Sequence, residues 1–163
     1  ITAMNPMDLY HMPYTHSLVG SVCFAIGFAA IVWLATRDRR VSLLAGLVVL
    51  SHWSLDLLVH RPDLTIAGDP PKYGIGLWNY QAIEMPLELL LTFGALAVFL
   101  ARTRGPALPA IVLGAVLLLV QAINWFGPEP EAVRPALSYT AFFAYGLTTL
   151  AAWWLGRTRR AKP

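Results

Sequence analysis

Val41-Ser-Leu-Leu-Ala-Gly-Leu-Val-Val-Leu-Ser51-His-Trp-Ser-Leu-Asp56-Leu-Leu-Val-His60 decides how this chain is read. It is one apolar run of the length a bilayer requires, roughly 20 residues at a rise of about 1.5 Å. His52, Asp56 and His60 stand at i, i+4 and i+8 and so share one helical face. By helical rise, His60 sits about 12 Å beyond His52, so the stripe descends from an interface into the hydrocarbon. Arg61-Pro62 ends the run, because a residue before proline disfavours helical dihedrals.

The rest of the chain fits the same class. Apolar residues make up 57% and charged residues 13%, with a mean hydropathy of +0.58; soluble domains carry about a quarter charged residues. Five stretches are long enough to cross a membrane: Ser17 to Thr36, Val41 to His60, about Tyr80 to Ala101, Ala107 to Phe126, and Ala136 to Gly156. Residues 87–101 alone would span only about 22 Å, so the third helix is expected to start before Pro86 and to carry it as an internal kink. The links are short, which predicts an all-α, polytopic transmembrane helix bundle forming a single domain over residues 1–163.

Basic residues set the orientation. Nine of the twelve Lys and Arg follow the first, third and fifth spans: Arg37, Arg39, Arg40, Arg102, Arg104, Arg157, Arg159, Arg160 and Lys162. The positive-inside rule then predicts an external N-terminus and a cytoplasmic C-terminus. The chain opens with Ile1 and has no basic, then apolar, leader; an upstream membrane segment is therefore expected. The pI near 9.3 reflects these topology signals and contact with anionic membrane lipid, and gives no reason to invoke nucleic acid.

This topology gathers His16, His52, Asp56, His60, Glu84 and Glu88 at the external end, together with His11. Ionisable residues at membrane depth are costly and mark functional sites. Imidazole and carboxylate are the usual ligands for zinc, manganese or iron where thiolates are lacking, and Cys23 is the only cysteine. His16, His52, Asp56 and His60 are thus candidate ligands of a divalent metal, with Glu84 or Glu88 as catalytic base or outer support. A hydrogen-bonded network that only fixes helix packing accounts for the same residues. So does haem or pigment ligation by His52, though less comfortably with Asp56 one turn away. Trp33, Trp153 and Trp154 are read as one aromatic belt and Trp78 and Trp125 as the other, while Trp53 is expected to need a partner for its indole N–H.

Thr15-His16-Ser17 followed by His52-x-x-x-Asp56, with Ser51-His-Trp-Ser-Leu-Asp56-Leu-Leu-Val-His60-Arg-Pro-Asp63-Leu64 and Gly74-Ile-Gly-Leu-Trp78-Asn79, resembles the bacterial predicted membrane-bound, metal-dependent hydrolases. The resemblance covers about residues 6–90. It implies a metal-dependent hydrolase of a bacterial inner membrane with His16, His52 and Asp56 as ligands; the headgroup depth expected of the pocket points to an ester or phosphoester of a lipid-like substrate. The Gly-His pair and acidic motif with which members of that family usually begin are not in this sequence. The alternative is a non-catalytic accessory subunit of a larger membrane complex.

Overall fold

The computed structural model describes residues 3–4, 12–127 and 135–163, the side chains of 135–138 excepted. His11, weighed above, lies outside the described residues. The chain forms two compact units, Ile1–Met85 and Pro86–Pro163.

In the first unit, α1 (Leu18–Thr36) and α2 (Arg39–Val59) make a helical hairpin. Two residues turn the chain. Arg37 ends α1 in the left-handed region at φ 57°, and Asp38 caps α2 by accepting from the backbone N–H groups of Arg40 (2.8 Å) and Val41 (3.2 Å). At the other end of α1, the Ser17 hydroxyl accepts from Gly20 N–H at 3.1 Å. The helices approach through small groups: a Cβ built on Gly46 would lie 3.1 Å from both Ala25 O and Ala29 Cβ. Buried positions along the hairpin are Ser21, Ala25, Ser42, Gly46, Trp53 and Asp56. Large apolar side chains such as Ile26, Leu43 and Val48 point outward, the arrangement expected where the surroundings are lipid.

After α2 the chain folds back over the start of α1. Thr65 N–H donates to His16 O (3.2 Å), Leu18 N–H to Thr65 O (3.0 Å) and Val19 N–H to Ile66 O (2.9 Å). The first turn of a helix lacks internal partners for its N–H groups; here this segment supplies them. Leu64, fully buried, exchanges backbone bonds with Tyr73, and Gly76 N–H donates to His60 O at 2.7 Å. Gly74 passes so close to the His60–Arg61 backbone that a Cβ would lie 2.1 Å from Arg61 O. A single 3-10 turn, Leu77–Asn79, leads into α3.

Helix α3 (Gln81–Arg102) runs through Pro86 without interruption, as its expected length requires, and gives its first turn to this unit. The second unit holds the rest of α3, α4 (Leu108–Phe126) and α5 (Pro135–Thr158). Its core comprises Ala110, Leu113, Ala151 and Leu155, with Leu96, Leu100 and Leu117 packed against it. Two-residue strands β1 (Thr103–Arg104) and β2 (Arg160–Ala161) pair antiparallel. Arg159 secures that end, its guanidinium donating to Thr103 Oγ1 (2.8 Å), Thr103 O (2.9 Å), Gly105 O (3.1 Å) and Pro106 O (3.2 Å).

The molecule is helical, and α1, α2, α3 and α4 are long and apolar enough to cross a membrane. Helix α5, with 24 residues, has the length, at about 36 Å, but Tyr139, Thr140, Tyr145, Thr148, Thr149, Trp153 and Trp154 dilute its hydropathy. Gly74→Ala and Gly27→Ala should separate close approach from helix propensity. The first collides with backbone and should lower the thermal unfolding midpoint in detergent; the second meets nothing within 4 Å and should hold or raise it, by about 0.5–1 kcal/mol of helix propensity.

Candidate metal centre

Asp56 lies on the buried face of α2, one turn from His52 and one turn from His60. Its Oδ2 is 3.2 Å from His52 Nε2 and 3.7 Å from His16 Nε2, and its Oδ1 is 4.0 Å from His60 Nε2. Helical periodicity aligns three of these residues. The fourth, His16, is carried there by the segment that pairs its carbonyl with Thr65. The His16 ring stands edge-on to both His52 and His60, at centroid separations of 5.9 and 5.7 Å. Of the four expected ligands, His16, His52 and Asp56 each offer one donor atom within 4.8 Å of the others. His60 flanks this group.

Asp56 Oδ2 is buried and accepts no hydrogen bond of normal geometry among the described residues. A carboxylate in an apolar setting without donors or a counter-charge is strongly unfavourable. The imidazoles do not supply the charge when neutral, and His16 favours that state: its burial lowers its pKa, an effect that nearby Asp56 opposes without cancelling. A neutral imidazole is the form that ligates metal. Thr15 Oγ1 lies 2.9 Å from His16 Nδ1, so when Nδ1–H is the donor, Nε2 presents its lone pair toward Asp56.

Bonds of about 2.0–2.2 Å to one ion would set ligand atoms roughly 3.3 Å apart in a tetrahedron and about 4.2 Å apart when opposite. The cluster is slightly wider than this. The His52 side chain is 59% exposed, which leaves its ring room to turn. Two imidazoles and one carboxylate, whose Oδ2 is buried with no donor among the described residues, are a donor set that fits a divalent cation.

His60 Nδ1 lies 3.2 Å from Asp63 Oδ1, and both side chains are buried. The Trp78 ring packs against the His60 imidazole at 4.4 Å, and Arg61 Nε is 3.6 Å from Asp63 Oδ2. Asp63, and Trp78, which the sequence suggests for an aromatic belt, thus both flank His60. The available signal was the His60-x-x-Asp63 spacing across Pro62, which brings the two together once the helix stops.

Glu84 is fully buried in the first turn of α3, within the first unit. Glu88 belongs to the second unit, where its Oε2 accepts from Gln121 Nε2 and, at 2.8 Å, from Trp125 Nε1. Trp53 Nε1 is buried and finds no acceptor among the described residues. No protein-family model matches the chain, and no curated protein or solved structure is detectably similar to it.

Replacing Asp63 tests the internal support of this cluster. Asp63→Ala removes a buried carboxylate that stands 3.2 Å from the His60 imidazole and 3.6 Å from Arg61 Nε, and should lower the unfolding midpoint in detergent. Arg61→Ala, at a side chain 33% exposed, should cost about 1 kcal/mol or less.

Proposed function

We propose that this is a five-span integral protein of the bacterial inner membrane, with the start of α1 outside and the C-terminus in the cytoplasm. In this reading it is a divalent-metal-dependent hydrolase acting on an ester or phosphoester of a lipid-like substrate. The observation that carries it is the convergence of His16, His52 and Asp56 donors within 4.8 Å around a buried carboxylate oxygen without a hydrogen-bond donor. Three protein ligands are the usual complement of a catalytic zinc site, which keeps one position open. The same donor set also serves iron or manganese.

When bound, a divalent ion supplies Lewis acidity and a water acidic enough to react near neutral pH. The chain's own groups do the rest. Asp56 and His52, one helical turn apart on α2, hold two donors in fixed register, and Thr15 orients the His16 ring. Asp63 fixes His60 beside them, and Glu84 is the buried carboxyl in the same unit that we assign to proton transfer. Oε2 of Glu88 is committed to two donors on α4, so the proposal does not rest on it.

The substrate class is argued from position. The cluster lies where α2 ends and α1 begins; His60, at the end of α2, is at headgroup depth, where the labile bonds of lipids lie, and His52 is about 12 Å further in. Exposed His52 opens the site on one side.

His52→Ala and Asp56→Ala should each reduce zinc or manganese binding by the purified protein at least 10-fold, and a chelator should stop hydrolysis of short-chain lipid esters. Metal-free protein that co-purifies with stoichiometric partner chains would instead identify an accessory subunit. For topology, cysteines replacing Asp69 and Arg39 in a Cys23→Ala background should react with an impermeant reagent from opposite sides, Asp69 from outside. Reaction of both from one side contradicts the orientation.

A further inference from the structure

The basic end of the second unit has no part in the metal reading, and its charges are arranged in an unusual way. Strand register sets Arg104 directly opposite Arg160, where like charges destabilise a β pair and Cβ atoms stand about 4.5–5.5 Å apart. Both residues are exposed, as are Arg102, Arg157 and Lys162. Residues 99–110 and 150–163 contain no Asp or Glu. Glu88 lies 14 residues before Arg102 on α3, about 21 Å along the helix and beyond the range at which it could offset them.

Arg159 and Lys162 give their donors to backbone. Arg159 bonds the carbonyls of Thr103, Gly105 and Pro106, and Lys162 Nζ bonds Ala101 O at 2.7 Å. This leaves a ribbon whose register sets Arg104 opposite Arg160, with no Asp or Glu in either strand or the residues flanking them. Beside it, Arg157 stacks over Trp153 at 5.6 Å, and Trp153 is 62% exposed. An exposed tryptophan at the end of an apolar helix is characteristic of headgroup depth.

We propose that the β1–β2 ribbon is a binding site for the phosphate of an anionic phospholipid, bracketed by Arg104 and Arg160, with Arg102 and Arg157 at its rim. A phosphate accepts two N–H groups from each planar guanidinium, and its negative charge removes the repulsion that the strand register imposes. The strand pair is thus completed by a lipid. The acyl chains would lie along α3 and α5, whose outward residues there include exposed Val98, Phe99 and Leu150.

The test uses the full chain in detergent, titrated with phosphatidylglycerol or phosphatidylcholine, with bound lipid counted by native mass spectrometry. Arg104→Gln/Arg160→Gln should weaken phosphatidylglycerol binding roughly 30-fold, about fivefold per side chain, and leave phosphatidylcholine unchanged. Arg39→Gln/Arg40→Gln removes equal charge elsewhere and should bind like the parent. Arg160→Gln alone carries its own signature: a higher unfolding midpoint without lipid, because the opposed charge is gone, and a smaller rise on adding phosphatidylglycerol. Equal loss in both double variants, or no loss in the ribbon variant, would overturn the proposal. Competition by inorganic phosphate at matching concentration would also overturn it, identifying a site for free anions.

Discussion

The first unit depends on Asp56, a buried carboxyl group held inside an apolar hairpin beside three imidazoles. Three imidazoles approach its two oxygens at 3.2 to 4.0 Å, and in their neutral state none provides a full counter-charge. Isolated buried charge is costly in any protein and more so at membrane depth. A cation shared by Asp56, His16 and His52 resolves that cost, and the same cost would drive binding of the ion. The surrounding backbone is built to keep these groups in place. The segment following α2 satisfies the open N–H groups of α1 while fixing His16, and Gly74 lets the next stretch pass against His60 and Arg61.

The hairpin holds a polar cluster without a large apolar core because its helices meet through Gly46, Ala25 and Ala29. Close backbone approach gives dispersion contacts that bulky side chains would prevent, and the bulky apolar residues are left facing outward, where lipid solvates them. This division explains why the buried positions of α2 include Ser42 and Asp56 while Leu43 and Val48 are exposed. The second unit is organised differently, around leucines and alanines of α3, α4 and α5, and ends in a ribbon secured by Arg159.

Much of this was legible in the sequence, for reasons specific to each element. Apolar runs bounded by Arg37–Asp38 and Arg61-Pro62 mark α1 and α2 because few other structures suit such lengths, and the required span forces α3 to begin before Pro86. The i, i+4 spacing fixed which α2 residues share a face. It could not show that His16 joins them, since that depends on the long-range pairing with Thr65; the shared external depth of the span ends, and then the motif resemblance, pointed to that residue instead. The partnership of Asp63 with His60 was hidden because it forms across a helix end, where periodicity no longer applies. Glu84 and Glu88 look alike in sequence, four residues apart on one helix. They differ in environment: Glu84 is buried in the first unit, and Glu88 is bonded to Gln121 and Trp125 in the second.

The central claim is that His16, His52 and Asp56 form one cation site, and X-ray absorption at the metal edge of protein purified with zinc or manganese tests it most directly. The account predicts one ion per chain with nitrogen and oxygen neighbours at about 2.0–2.2 Å and the outer scattering of two imidazoles. Sulfur neighbours, or no bound ion after metal supplementation, would contradict it.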